Sequence, residues 1–314
     1  MTMRRLLLLL AVGALAAVPW LGSETAVQYG INALLLATLA QSWNILGGYT
    51  GYASFGNSVF YGLGTYGTAI AMVHFRAPFG VGLACGAVLA VAAAFLMGVP
   101  ILRLRGPYFA IATLGLSAAM AALFANIGIA GKNVGLILPL FRGDDLFYEL
   151  ALALLVGATA TVAWISRSRF GAGLVAIRED EDAAQVMGVD TTLWKVLALA
   201  LAAFFTGLAG GIHAYWITFV DPASAFDATL NVKMVIMAVF GGPGTVLGPV
   251  VGALLLSAVS EVLASSVSTM ASVFYGLVIV LAVVFMPKGL VDLVHGFPRL
   301  RWRYFAQNMR RYRL

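Results

Sequence analysis

The sequence predicts an all-α fold: a polytopic integral membrane protein with about ten transmembrane helices, some of them broken or re-entrant. Hydrophobic residues make up 61% of the 314 positions and charged residues only 10%, whereas soluble domains carry roughly 25% charged residues. The mean hydropathy is +0.95. So few charges cannot cover a soluble particle, and the length leaves no room for a separate soluble domain beside that many bilayer crossings.

Ten runs are long and apolar enough to be candidate crossings, at about 20 residues each. They are residues 6–21, 27–45, 53–73, 80–101, 107–127, 147–166, 193–216, 229–241, 246–262 and 269–286. Gly241-Gly242-Pro243-Gly244-Thr245 divides the eighth run from the ninth, and the eighth is short for a full span, which predicts a broken helix. The transmembrane domain is therefore placed at residues 1–290, with a basic tail at 291–314.

The positions of Lys and Arg predict the orientation, because loops on the cytoplasmic side retain positive charge. With both termini cytoplasmic, 15 of the 19 basic residues lie inside. The four left outside are Arg76, Lys132, Arg142 and Lys233. The distribution predicts an even number of crossings with both termini on the cytoplasmic side.

The two ends of the chain each allow two interpretations. Arg4 and Arg5 before an apolar run resemble a secretory signal peptide, so the first segment is either a span or a cleaved leader. The basic tail, with Trp302 and Tyr304, favours a lipid-facing anchor. Nucleic-acid binding is the weaker interpretation of the net charge of +6, since no soluble module accompanies it.

One substantial polar insertion separates the spans, at residues 167–192. Leu174, Ile177, Ala184 and Met187 recur at helical spacing, and four consecutive acids occupy 179–182. Acids favour a helix N-terminus and glycine favours a helix end, here Gly188. The pattern predicts two short helices with a charged corner. On physical grounds alone the insertion could equally be a solvated hairpin.

Four separated motifs carry a resemblance to a known family. Asp182-Ala183-Ala184, with Gly188 after three further residues, resembles the "EAA, three residues, glycine" pattern of ABC importer permeases, with Asp in place of Glu. Similarity to LivM-type permeases of the branched-chain amino acid ABC transporter family is seen around Arg169 to Glu181, at Asn44 to Gly56 with Phe60 to Tyr66, at Arg103 to Leu114 and at Gly241 to Pro249. An Ile-x-Leu-Pro element of the wider importer pattern is absent, and Ala198-Leu-Ala-Leu stands there instead.

The resemblance implies a permease subunit that imports amino acids by alternating access and is not itself an enzyme. The implied partners are a second related permease, two ATPase subunits that bind ATP and Mg, and a periplasmic substrate-binding protein. It further implies that a coupling helix docks on the ATPase. The implied coupling residues are Arg178, Glu179, Asp180, Glu181, Asp182, Ala183, Ala184 and Gly188.

Two glycine-rich stretches, at 47–67 and 241–252, predict unusual helix geometry, since each interior glycine costs about 1 kcal/mol relative to alanine. Either small residues let helices pack closely, or the helices break and line a polar path. The residues assigned to these breaks or to a translocation path are Gly47, Gly48, Thr50, Gly51, Ser54, Asn57, Gly241, Gly242 and Gly244. An internal repeat is expected of such an architecture, although the two halves do not align by eye.

Motifs for chemistry within this chain are missing. The phosphate-binding pattern Gly-x-x-x-x-Gly-Lys-Ser/Thr is not met at Lys132, because Asn126 stands at the position of the first glycine and Asn133 at that of Ser/Thr. The energy for transport is therefore expected from a partner or an ion gradient. The single cysteine and the three scattered histidines offer no metal site. The alternative function is a self-sufficient secondary transporter or channel for a small polar solute. Such a carrier should bury paired ionisable residues, and only Glu261, His213 and Lys233, near span ends, are candidates.

Overall fold

The computed structural model describes residues 15–21, 23–141 and 143–266, and the isolated positions 13 and 276. Half of the first predicted crossing, all of the tenth except Gly276, and the basic tail lie outside the described residues. The long helices of the described part are α2 (Glu24–Trp43), α3 (Asn57–His74), α4 (Phe79–Ile101), α5 (Pro107–Phe124), α6 (Asp144–Ile165), α9 (Thr191–Ile217), α11 (Ala228–Gly241) and α12 (Gly248–Ser266). The fold is nearly all-α, as predicted.

Short elements complete the described chain. They are α1 (Val18–Leu21), a π-helical turn (Asn44–Gly48), 3-10 turns at Gly128–Ala130 and Lys132–Val134, α7 (Arg169–Glu179), α8 (Glu181–Val186) and α10 (Pro222–Ala225). Two short strands, β1 (Leu136–Ile137) and β2 (Phe219–Val220), pair antiparallel, with Leu136 opposite Val220. This pairing joins the α5–α6 connection to the chain that follows α9.

Five helical segments in the described chain are long and apolar enough to cross a bilayer, fewer than the ten predicted crossings. They are Phe79–Ile101, Pro107–Phe124, Asp144–Ile165, Thr191–Ile217 and Pro222–Gly241. The last segment consists of α10 followed by α11. A short additional helix therefore precedes the predicted eighth run. Half of the first predicted run and nearly all of the tenth lie outside the described residues, so the count of ten crossings stays a prediction.

The helices α2 and α3 are not among these five apolar segments. Their burial explains why they can be less apolar. Fourteen of the 18 residues of α3 are buried, and the last six residues of α2 are buried without exception. A helix that other helices surround does not face lipid, so it can carry Gln, Ser, Thr and Asn when these are hydrogen-bonded. The least lipophilic helices thus lie at the centre of the bundle.

Glycines allow the closest helix contacts at this centre, where α3, α4 and α9 pack together. A Cβ on Gly64 would overlap the carbonyl oxygen of Gly207, and one on Gly67 would lie 2.7 Å from the Cα of Gly86. The first glycine-rich stretch therefore shows both close packing and a helix break, at different residues, whereas the polar path stays a prediction. The glycines from Gly62 to Gly67 lie within α3 in close contacts, whereas the helix is interrupted before Gly56.

Candidate functional site

The charged segment, residues 167–192, forms two short helices that meet at a sharp corner. Ser168 caps α7 by accepting a hydrogen bond from the amide of Gly171 (3.1 Å). Asp180 ends α7 and caps α8, because its carboxylate accepts from the amide of Ala183 (3.0 Å). Gly188 follows α8 with φ of +88°, a conformation that glycine adopts freely. The predicted pair of helices, the acidic corner and the glycine stop are all confirmed.

The apolar residues of this segment do not all face the same way. Leu174, Ile177 and Ala184 are buried against the bundle, as their spacing predicted. Met187 shares their helical spacing but is 84% exposed, and Val186 is 87% exposed. The difference arises because α8 ends at Val186, so the helical periodicity does not continue to Met187.

A buried lysine ties α8 to the bundle. Lys195, in the first turns of α9, is 2% exposed and its Nζ lies 2.6 Å from Oε1 of Glu181. The same ammonium donates to the carbonyl of Leu102 at the end of α4 (3.0 Å) and to the hydroxyl of Tyr52 (3.1 Å). Tyr52 in turn donates to the other oxygen of Glu181. All three ammonium protons therefore have acceptors, as a buried charge requires.

The charges around Glu181 favour its ionised form. Partial burial alone would raise the pKa of this carboxyl, but the hydrogen bonds from Lys195 and Tyr52, with the charges of Lys195 and Arg105, outweigh burial and lower the pKa. Arg105 also binds both oxygens of Asp182, at 2.8 and 3.2 Å, which lowers the pKa of that exposed carboxyl. The first turn of α8 is thus held by one buried pair and one exposed pair.

An open cleft of about 420 Å³ lies between the charged segment and the bundle. Its walls come from three parts of the chain: residues 50–53, the start of α5 with Arg105, and the inner faces of α7 and α8. Phe109 and Ile177 form apolar walls, whereas Arg178, Glu181 and Asp182 carry charge. The cleft therefore joins the predicted coupling residues to the first predicted helix break.

The first break begins with the π-helical turn after α2 and ends at the start of α3. Gly47 lies beneath the ring of Trp43, whose indole donates to the carbonyl of Ser54 across the break (2.8 Å). Thr113 on α5 donates through its hydroxyl to Ala110 and accepts from the amide of Phe55 (3.1 Å). The backbone groups that the break frees are thus bonded to side chains of neighbouring helices, as a non-helical segment inside a bundle requires.

The second break, between α11 and α12, lies directly against the first. Asn44 donates to the carbonyl of Thr245 (2.9 Å) and accepts from the amide of Gly244 (2.7 Å). Gln41 donates to the carbonyl of Val246 (2.8 Å). Residues some 200 positions apart in sequence therefore share their hydrogen bonds, and the two breaks form one polar contact.

The predicted site residues fall into two groups in the structure. Arg178, Glu181 and Asp182 contact the bundle or its neighbouring loops, and Gly48 and Gly244 meet each other. Glu179, Ala183 and Gly188 are exposed. Thr50 and Ser54 are buried and form hydrogen bonds with nearby backbone groups. The side-chain nitrogen of Asn57 is buried and has no hydrogen-bond partner among the described residues. Their assignment to coupling or translocation stays a prediction.

Sequence reasoning missed the residues that connect these groups. Lys195, Tyr52, Arg105, Asn44 and Gln41 were not assigned to the site. Two signals were available: Asn44, Tyr52 and Arg105 lie within the motifs that resemble the family, and a lysine near the start of an apolar helix needs a partner or an exit to water. Among the described residues, no group of three or more His, Cys, Asp or Glu could hold a metal ion.

The apolar helices, the central glycine contacts and the polar breaks define the class as a multi-pass helical membrane protein. Residues 26–283 match the family model described as branched-chain amino acid transport system, permease component. This match covers most of the chain, and the protein therefore belongs to that family of transport permeases.

Curated relatives agree with the family model. The chain is 28% identical to the high-affinity branched-chain amino acid transport system permease protein LivM of Salmonella typhimurium, over 96% of this chain and 77% of the relative. Identity and coverage are the same for LivM of Escherichia coli K12. The autoinducer 2 import system permease protein LsrC of Salmonella paratyphi B is 29% identical over 61% of this chain and 58% of its own length. No solved structure matches the chain significantly.

Proposed function

We propose that this chain is one of two permease subunits of an ABC importer that moves branched-chain or other amino acids inward across a bacterial inner membrane. Membership of the permease family and the similarity to LivM over nearly the whole chain support this function. In the proposed assembly both termini are cytoplasmic. Two partner ATPases bind ATP and Mg, and a periplasmic protein delivers the substrate.

The charged segment would be the contact with the ATPase. The observation that carries this assignment is the two-sided character of α8. Its inner side is fixed to the bundle by the Lys195–Glu181 pair, whereas Val186 and Met187 project outward from an otherwise charged segment. Two adjacent apolar side chains exposed beside charged ones would suit burial in a protein contact. A groove of the ATPase would cover this apolar tip.

The two helix breaks would lie beside the translocation path. In alternating access, ATP binding closes the ATPase dimer and moves the charged segment, and the permease pair changes from outward to inward opening. This chain would supply half of the path and no catalytic group. The narrow buried stripe of α5, five of its 18 residues, leaves a wide face for lipid or for the second permease.

The test is co-expression of this chain with its second permease, the ATPase and the binding protein, followed by purification and reconstitution. We expect the ATPase to co-purify and ATP-dependent uptake of radiolabelled leucine into proteoliposomes. Val186→Asp with Met187→Asp should abolish co-purification, because charge replaces the apolar tip. Val134→Asp is the matched control, since Val134 is 82% exposed on a different connection. Normal association and uptake by the double variant would refute the docking assignment.

One observation favours the alternative, a secondary transporter. The sequence offered only ionisable residues near span ends, but the structure adds a lysine that is buried and paired with Glu181, a feature typical of ion-coupled carriers. The discriminating measurement is leucine uptake by this chain alone in proteoliposomes under an imposed pH gradient. Uptake without ATP and without partners would establish the carrier, whereas its absence together with ATP-dependent uptake by the full assembly would support the importer.

A further inference from the structure

Three distant parts of the chain meet at one point beside the charged segment. The guanidinium of Arg178, at the end of α7, donates to the carbonyl of Gly48 in the π-helical turn (3.3 Å). Gly244, in the second break, lies so close that an added Cβ would be 3.0 Å from both Nη1 of Arg178 and the carbonyl oxygen of Gly48. The charged segment therefore contacts both helix breaks at once.

Asn44 fixes the two breaks to each other. Its side chain is fully buried, its carboxamide oxygen accepts from the amide of Gly244, and its nitrogen donates to the carbonyl of Thr245. Because one end must accept and the other must donate, neither Asp nor an apolar residue can replace both bonds. Gln41, one turn earlier, adds the bond to Val246.

The space around this contact leaves no room for adjustment. A Cβ on Gly48 would overlap the carboxamide of Asn44 and lie 2.6 Å from the amide nitrogen of Gly244. Gly244 itself has φ of +74°, which only glycine adopts without strain. The helix α7 that carries Arg178 is also closely packed, since Gly173 lies against the ring of Trp194. Close-packed elements of this kind pass a displacement on to their neighbours.

We propose that Arg178, Asn44 and Gly244 form a junction that transmits movement of the charged segment to both helix breaks. Asn44 is the positioning residue that holds the two helix breaks against each other, and Arg178 links both breaks to α7. The proposal rests on the proposed function, because the ATPase would supply the movement. It predicts that loss of the junction separates ATP hydrolysis from transport without releasing the ATPase.

The first experiment compares Asn44→Ala with Thr38→Ala in the reconstituted assembly. Thr38 is a matched control, because it is buried on α2 and its hydroxyl bonds only to Leu34 within the same helix (2.9 Å). We expect Asn44→Ala to lower the leucine transported per ATP hydrolysed by about tenfold, as expected for the loss of one or two hydrogen bonds, with normal ATPase co-purification. Asn44→Asp should also fail, since it cannot donate to Thr245. A transport-to-hydrolysis ratio equal to that of Thr38→Ala would overturn the junction.

A second variant keeps the proposal testable if Asn44→Ala does not fold. Gly244→Ala adds one methyl group against Arg178 and Gly48, whereas Gly106→Ala has a similar positive φ of +58° and no atom within 4 Å of its Cβ. We expect a lower transport-to-hydrolysis ratio for Gly244→Ala than for Gly106→Ala, and equal ratios would refute the junction. Failure of the wild-type assembly to bind the ATPase would instead refute the proposed function.

Discussion

The Nζ of Lys195 lies 2.6 Å from Oε1 of Glu181, and this contact joins the first turns of α9 to the first turn of α8. Lys195 also bonds to Leu102 at the end of α4 and to Tyr52 in the first break. One ammonium group therefore joins α8 and the start of α9 to two segments that are far away in the sequence.

Lys195→Met should destabilise the protein by roughly 3 kcal/mol, because removing one member of a buried pair leaves the other without its counter-charge. The measurement is unfolding of the purified chain in detergent, followed by helical circular dichroism. Arg103→Ala removes an exposed basic residue from the same end of the bundle and serves as the control. The double variant Lys195→Met with Glu181→Leu should recover most of the loss, and no recovery would show that the pairing is not the cause.

The same pair predicts how stability depends on pH. The folded protein lowers the pKa of Glu181 below its ordinary value of 4.5, so the carboxylate contributes stability above that value. This contribution is lost as the pH falls through the lowered pKa, when the proton displaces the interaction with Lys195. Thermal unfolding measured between pH 7 and pH 3 should show a decline at the acid end that Glu181→Gln reduces. An identical acid decline in this variant would assign the effect to other carboxyl groups.

Gly64→Ala should destabilise the bundle by about 1–3 kcal/mol, as is typical when a methyl group is forced into a packed interior. The reason is the overlap of the new Cβ with the carbonyl oxygen of Gly207 on α9. Gly115→Ala on α5 is the control, because nothing lies within 4 Å of its Cβ and alanine is the better helix former by about 1 kcal/mol. Unfolding in detergent should therefore show lower stability for Gly64→Ala and higher stability for Gly115→Ala.

Asn231→Leu should cost about 1–3 kcal/mol, since it leaves buried polar groups without partners. Asn231 on α11 accepts from the amide of Ser58 (2.7 Å) and donates to the hydroxyl of that serine (2.8 Å). Ser117 on α5 joins the same cluster, 3.0 Å from the hydroxyl of Ser58. Asn126→Ala is the control, because Asn126 is exposed and bonds only within its own turn of chain. Equal stability of the two variants would contradict a structural role for the cluster.

Much of the fold could be predicted from local sequence. The apolar runs located the long helices to within a few residues, because hydropathy and helix length are local properties. The acids at 179–182 and Gly188 correctly located the corner and the end of α8, because capping depends on neighbouring residues. Spacing alone did not show that Met187 lies beyond the end of α8 and is exposed.

The sequence by itself determined that the chain is a helical membrane protein, where its helices are interrupted, and which family it resembles. Only the tertiary structure decided that α2 and α3 lie at the centre, that Lys195 is buried against Glu181, and that Asn44 binds Gly244. The physical reason is distance along the chain. Hydrophobicity and capping act over one or two helical turns, whereas these contacts join residues that only the packing of helices brings together.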